Sequence, residues 1–163
     1  FHNLGWRQLE QLVRRAAQRN GDPARAILIM GVTRFDPLAT LIRLDGEART
    51  AYPMPRSADS WRVINRAAGE RVMGMSTPRI ASDLHPDTWE MHPHGDEILY
   101  LLEGAIDVSI EAVDGEALVP LRVGEGCLIA SGSWHRLLLR APSRLLFVTP
   151  AGGTRMRPWK EGV

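Results

Sequence analysis

The sequence predicts an all-β fold, an antiparallel sandwich or barrel, preceded by an α-helix and an arm. Short runs rich in β-branched and apolar residues follow one another at nearly regular spacing from residue 26 onward. Turn signals built on glycine lie between these runs. After residue 20, no amphipathic helical pattern of similar length recurs. Many short strands joined by tight turns are typical of sandwiches and barrels.

The helix is predicted over residues 4–19, where apolar residues recur at helical spacing and form one stripe. The members of this stripe are Leu9, Leu12, Val13 and Ala16. An Asn-Gly-Asp-Pro run at 20–23 ends the helix, because proline and glycine both interrupt helical backbone.

Strands are predicted from the apolar runs that follow the helix. These runs are 26–32, 40–44, 61–64, 72–75, 98–102, 106–111, 127–130, 136–139 and 145–149. The span 47–60 contains two prolines and several small polar residues, so we expect a loop there. The chain then divides into an N-terminal helix and arm, residues 1–60, and a β-barrel, residues 61–163, within a single structural domain.

Composition and charge exclude several classes of function. The 163 residues carry a formal net charge of +1, so no basic field over the whole chain favours nucleic acid. No apolar run reaches the roughly 18 residues of a membrane span. The single cysteine, Cys127, cannot form a disulfide within the chain, and it excludes a cysteine-rich metal site. We therefore expect a cytoplasmic protein that binds neither nucleic acid nor membrane.

The distribution of charge is uneven, which favours an association between copies of the chain. Residues 1–79 carry thirteen arginines and seven acidic residues, whereas residues 80–121 carry ten acidic residues and no lysine or arginine. In the predicted strand 98–102, Ile98, Tyr100 and Leu102 form an apolar row that points away from the barrel interior. We expect a homodimer in which the arm of one chain covers this row on the other. Coverage by the chain's own arm is the alternative.

The segment 89–97 concentrates the chemically most informative side chains. Alternate residues of an extended strand share a face, so Glu90, His92 and His94 should point the same way, and Glu97 opens the next strand. Imidazoles beside carboxylates suit a divalent metal such as Mn, Fe, Co, Ni or Zn. A polar surface strand without a metal is the alternative interpretation of this segment.

A second segment, at 124–135, carries a histidine after a glycine-rich turn. Together the two segments resemble the cupin superfamily, whose first motif reads H-x-H, three or four residues, E, six residues, G. Its second motif reads G, five residues, P-x-G-x-x-H, three residues, N. Glu97 is followed by six residues and then Gly104, as in the first motif. The spacing of Gly124, Gly132 and His135 matches the second motif, and the resemblance covers residues 84–150.

The resemblance implies a jelly-roll barrel and a set of metal ligands. A four-residue gap before Glu97 aligns His92 with the second histidine of the first motif and Glu90 with the first. The implied ligands are therefore Glu90, His92, Glu97 and His135. His94 is then a neighbouring group that supports the site, or an alternative ligand in the other register. The chain departs from the second motif where Ala130 replaces its proline and Leu139 its asparagine.

The resemblance further implies one bound divalent transition metal, which is Fe, Mn, Ni or Zn. Leu99 and Leu101 share the predicted face of Glu97, and Leu137 and Leu139 share that of His135, so we expect them to line an apolar pocket. The expected function is a metal-dependent enzyme that acts on a small, partly apolar molecule, an oxidoreductase of dioxygenase type. A metal-dependent isomerase or lyase, or a small-ligand-binding protein without activity, is the alternative, since a fold does not fix its reaction.

Overall fold

The computed structural model describes residues 27–29 and 32–159. The helix predicted over residues 4–19 lies outside the described residues. Strands β1 (Ile27–Ile29) and β2 (Val32–Arg34) form a small antiparallel pair of their own, where the sequence predicted one strand over 26–32. Within the described part of the chain, no helix has the length and apolar character that crossing a membrane would require.

The remaining strands form one continuous antiparallel system, which confirms the predicted all-β fold. In chain order they are β3 (Thr40–Leu44), β4 (Ala51–Pro55), β5 (Arg71–Ser76), β6 (Thr88–Met91), β7 (Glu97–Ala112), β8 (Gly115–Leu121), β9 (Gly126–Ile129), β10 (His135–Pro150) and β11 (Arg155–Pro158). The pairing order is β11-β6-β10-β5-β3-β4, and β7 pairs with β8, β9 and β10. Strands β3 and β4 thus bring part of the segment before residue 61 into the main sheet.

Strands β7 and β10 each join two runs that the sequence predicted as separate strands. The runs 98–102 and 106–111 both belong to β7, and the runs 136–139 and 145–149 both belong to β10. Gly104, predicted as a turn, instead bends β7 with a φ of +87°. The register between the two strands shifts between Leu139 and Leu145, which is a bulge opposite this bend. The bulge and the bend together change the direction of the β7–β10 pair.

The predicted strand at 61–64 was wrong, because these residues form helix α1 (Ser60–Ile64). Only Ser60 and Ile64 are buried in this single turn, and Trp61 and Val63 are each 45% exposed. The Ser60 hydroxyl accepts a hydrogen bond from the Ser57 backbone N–H at 2.7 Å, which stabilises the start of the turn. Trp61 packs beside the Phe147 ring of β10, with ring centroids 5.9 Å apart, and Ile64 joins the core, so the turn lies on the sheet without pairing with it.

The loop predicted over 47–60 was wrong for its central part, which forms strand β4. Pro53 and Pro55 lack an N–H to donate, but β4 ends the pairing order and pairs only with β3. An edge strand tolerates proline because one row of its backbone groups needs no partner strand. Strand β3 itself, Thr40–Leu44, begins and ends at the residues predicted for the strand 40–44.

The core lies between the inward faces of the bent strands. Its most buried side chains come from β3, β5, β7, β10 and helix α1: Leu41, Ile64, Val72, Leu99, Leu101, Ile106, Val108 and Leu145. Fully burying one leucine or valine contributes about 1.5–3 kcal/mol relative to exposure. This packed interior holds in place the strand ends that carry the polar cluster described below.

The opposite face of the same sheet carries an apolar row across five strands. Ile42, Met73, Val148, Ile98 and Leu128 are successive cross-strand partners. Ile98 and Leu128 are exposed, and so is the neighbouring Tyr100, whereas Leu102 is half-buried. Contiguous exposed apolar surface often marks a protein–protein contact. The predicted homodimer stays a prediction, since the predicted helix lies outside the described residues and β3 and β4 of the arm pair within the chain's own sheet.

We expect light scattering at micromolar protein to give twice the 18.1 kDa mass of one chain. Tyr100→Asp should reduce this to the monomer mass, because an unpaired carboxylate at an apolar interface would lose its hydration. Val113→Asp is the matched control, since Val113 is fully exposed in the turn between β7 and β8. A mass of 18.1 kDa for the unaltered protein would contradict the dimer.

Candidate metal centre

Two strand ends bring the predicted ligands together. His135 is the first residue of β10, and its partner across the β6–β10 pair is Glu90. Strand β6 ends at Met91, and His92 follows in the turn that leads to Glu97, the first residue of β7. The Gly132 backbone N–H donates to the His92 carbonyl at 2.9 Å, and this bond joins the turns of the two motif segments. The cluster is therefore assembled by backbone pairing.

The donor atoms of the cluster lie within a few ångströms of one another. Nε2 of His92 is 3.7 Å from a carboxylate oxygen of Glu90 and 3.7 Å from one of Glu97. Nε2 of His135 is 3.1 Å from the same Glu97 oxygen. Ligand atoms of Glu90, His92 and His135 all lie within 4.8 Å of one another. Ligands about 2.0–2.2 Å from one ion are separated by roughly 3–4 Å, so the Glu90, His92 and His135 donors could hold a single metal, with Glu97 beside the two imidazoles.

Hydrogen bonds fix the orientation of both imidazoles. Nδ1 of His135 lies 3.2 Å from the Ser133 carbonyl, to which it donates, and this turns Nε2 toward the cluster. Nδ1 of His92 lies 3.0 Å from the Thr154 hydroxyl, and its Nε2 lies 3.2 Å from the Thr149 hydroxyl. Such partners on the second ring nitrogen typically orient a histidine for metal binding.

The charges of the cluster influence one another strongly. Burial alone would raise the pKa of Glu97, but hydrogen bonds from His135 and His92 outweigh it and lower the pKa to about 2. Burial lowers the pKa of His135, and its hydrogen bond and attraction to Glu97 reverse this, so the net change is upward. Burial raises the pKa of Glu90. The Glu97 carboxylate and the His135 imidazole thus each favour the charged form of the other.

The donor set suits the metals that the sequence suggested. Two imidazole nitrogens and carboxylate oxygens are ligands for Fe, Mn, Ni or Zn, whereas Cu(I) prefers thiolates and thioethers. Glu90 retains 38% of its side-chain surface and lines the adjoining cavity, while His92 and His135 are buried. The site is thus closed on one side and open to the cavity on the other.

His94 is placed apart from this cluster. Strand β6 ends before it, and Pro93 and His94 lie in a turn, so the alternation expected for an extended strand stops at Met91. The exposed imidazole of His94 packs against Gly153 and does not line the cavity. The structure therefore brings together Glu90, His92, Glu97 and His135 and leaves His94 at the surface.

A cavity of about 620 Å³ adjoins the cluster. Of the four leucines expected to line a pocket, Leu99 and Leu137 do so. Leu101 and Leu139 lie nearer the bend at Gly104, where the strands close on the core, and they pack there instead. Other apolar side chains complete the wall: Trp61, Leu84, Leu145, Phe147 and Met156. The size is within the range of roughly 300–1,000 Å³ for small-molecule sites.

Sequence reasoning missed the two hydroxyl groups beside His92. Thr149 ends a predicted strand, and Thr154 follows the Gly152–Gly153 turn, more than fifty residues from His92. A single threonine carries no local signal for such a role, since the pairing of β6 with both β10 and β11 creates the contact.

Comparisons with known proteins concern the fold. A cupin-2 domain containing protein from Shewanella frigidimarina has 16% identity and a TM-score of 0.37, and the match covers 50% of this chain and 69% of that one. The EutQ protein of Clostridium difficile has 23% identity and a TM-score of 0.37, covering 50% and 56%. Hydroquinone 1,2-dioxygenase from Sphingomonas sp. TTNP3 has 18% identity and a TM-score of 0.40, covering 51% and 60%.

No protein-family model matches the chain, and no curated protein matches it. The fold assignment therefore rests on the chain's own features, which are its antiparallel strands and its two motif segments. The first segment supplies Glu90, His92 and Glu97, and the second supplies His135. These segments meet at one end of a bent antiparallel β structure, which is the arrangement that the resemblance to cupins predicted.

Proposed function

We propose that this protein is a metal-dependent enzyme that oxidises a small, partly apolar molecule, with a reaction of dioxygenase type. The observation that carries the proposal is the group of Glu90, His92 and His135, with donor atoms within 4.8 Å of one another at a cavity of about 620 Å³. Two histidines and one carboxylate are the ligand set of many non-haem iron oxygenases, which keep positions open for oxygen and substrate.

Each part of the site has a role in this proposal. His92, His135 and Glu90 would hold the metal, and Glu97 would either join them or continue to orient His135 through their 3.1 Å contact. A bound iron or manganese would supply redox chemistry and Lewis acidity. The Ser133 carbonyl and the Thr154 hydroxyl keep the two imidazoles aligned. Leu99, Leu137 and the other apolar lining would exclude water and hold the apolar part of the substrate.

Oxygen uptake tests this function directly. We expect protein loaded anaerobically with Fe(II) to consume oxygen when small aromatic and aliphatic candidate substrates are added, in proportion to its metal content. The His92→Ala variant is the matched control for oxidation by loosely bound metal, because it removes one donor. Stoichiometric metal without substrate-dependent oxygen uptake would contradict the dioxygenase and would favour the isomerase, lyase or ligand-binding alternative.

A further inference from the structure

The charged side chains that line the cavity differ in whether they already have hydrogen-bond or ion-pair partners. Glu90 and Glu97 belong to the metal cluster, and the Asp83 carboxylate accepts backbone N–H groups from Arg79 and Ile80. Two arginines also line the cavity, Arg56 and Arg136. The partners of these two arginines differ, and this difference points to the substrate.

Both terminal nitrogens of the Arg136 guanidinium are engaged with neighbouring groups, whereas its buried Nε has no hydrogen-bond partner among the described residues. Its guanidinium makes two hydrogen bonds to the Glu116 carboxylate, at 2.8 and 3.0 Å, and donates to the Pro86 carbonyl at 2.8 Å. It also lies 4.0 Å from the centre of the Trp159 ring, in a cation–π contact. The charge of Arg136 is therefore already paired with Glu116, and the side chain joins β10 to β8.

Arg56 lines the same cavity without such partners. It follows β4, and its backbone N–H donates to the Ala39 carbonyl at 2.8 Å. This hydrogen bond fixes the backbone position from which the side chain extends. Among the residues that the structure describes, the guanidinium forms no ion pair with a carboxylate and no side-chain hydrogen bond. Desolvation by the surrounding protein lowers the pKa of Arg56 below its usual value, although the residue is exposed at the rim.

We propose that Arg56 binds the carboxylate of the substrate, which makes the substrate a small organic acid with an apolar body. This inference rests on the proposed function, because it names the substrate class of the same site. A guanidinium donates two parallel hydrogen bonds to a carboxylate, a geometry that few other groups provide. The leucines, Phe147 and Trp61 then face the rest of the molecule.

The lack of an ion pair at Arg56 within the described part of the chain supports an anionic ligand for the metal-loaded protein. A divalent cation would neutralise the charges of Glu90 and Glu97, and Glu116 neutralises Arg136. The Asp83 carboxylate accepts two backbone N–H groups and forms no ion pair with Arg56, so a substrate carboxylate would supply the direct partner that the Arg56 guanidinium lacks among the described residues. Without the metal, the two carboxylates of the cluster would repel the same anion.

Calorimetric titration of Zn(II)-loaded protein tests this inference with benzoate and its neutral analogue benzamide. We expect benzoate to bind about tenfold more tightly than benzamide, the effect of a charge-assisted hydrogen-bonded pair at a partly exposed rim. Arg56→Gln should remove this preference and leave benzamide binding unchanged, and Arg56→Lys should restore part of it. Arg62→Gln is the matched control, because Arg62 lies in α1, pairs with Asp59 and does not line the cavity.

Two outcomes would overturn the inference. One is an absence of preference for benzoate in the unaltered protein. The other is a preference that survives in Arg56→Gln, which would place the carboxylate elsewhere, for example on the metal. Failure of the proposed function is distinguishable, because it would appear as absent oxygen uptake in protein that still binds benzoate through Arg56.

Discussion

Replacing His135 with alanine should reduce metal affinity by roughly 100-fold or more, since losing even a supporting contact of a ligand costs 10–100-fold. His135 is 2% exposed, and its Nε2 is one of two imidazole donors in the cluster. The neighbouring Glu97 oxygen, 3.1 Å away, cannot replace an imidazole nitrogen from its own position on β7. Elemental analysis of the purified variant should therefore show only a small fraction of the metal in the unaltered protein.

His94→Ala is the matched control, because it also removes an imidazole from the first motif segment but from an exposed position. Its metal content should equal that of the unaltered protein. Circular dichroism would establish that the His135 variant is folded, and His135→Gln, which preserves more of the buried volume, would serve if it is not. Full metal occupancy in a folded His135 variant would contradict the site.

Glu90→Ala distinguishes the two possible registers of the first motif. If Glu90 is a ligand, its loss should lower metal affinity by at least tenfold, whereas His94→Ala should cost much less. The reverse order would mean that the turn at Pro93 and His94 rearranges when metal binds. The pair of variants thus tests the alignment that the four-residue gap before Glu97 suggested.

The clustering of the candidate ligands was predictable from sequence because they lie at the spacing of the two cupin motifs that the chain resembles. Glu90, His92, Glu97 and His135 were named from that spacing, and the structure brings them together. The position of His94 could not be predicted by alternation alone, because a strand end depends on where pairing stops. Arg56 and Thr154 come from segments outside the motifs, so only the folded chain shows that Arg56 lines the cavity and that Thr154 contacts His92.

The limits of the fold prediction have similar physical causes. Strand β8 was missed because its residues before Leu121 are exposed, so no buried face produces an alternating pattern. Helix α1 was mistaken for a strand because Trp61 and Val63 favour strands in general, although this segment pairs with no strand here. In contrast, the apolar runs that predicted β3 and β5 contain buried side chains in the structure, and both strands were predicted correctly.

The largest effect on stability is expected from Gly104→Ala. A Cβ atom at Gly104 would lie 2.3 Å from the Pro142 carbonyl oxygen and 2.3 Å from the Ser143 hydroxyl. Ser143 cannot move away easily, because its hydroxyl donates to the Ala141 carbonyl at 2.7 Å and accepts from the Ala105 N–H at 3.1 Å. The residue also has a φ of +87°, a left-handed conformation that costs an alanine about 1–2 kcal/mol.

Adding this backbone strain to the cost of overpacking gives a loss of about 3 kcal/mol in the free energy of unfolding. Gly124→Ala is a close control, since Gly124 has a φ of +86° but open space where the Cβ would lie. It should lose only about 1 kcal/mol, the strain alone. In thermal unfolding, Gly104→Ala should lower the midpoint by about 9 °C and Gly124→Ala by about 3 °C. Equal losses would mean that β7 and β10 do not press together at this bend. Gly104 would then be required only for its left-handed backbone conformation. The bend of the β7–β10 pair, which positions Glu97 and His135, would depend on the bulge in β10.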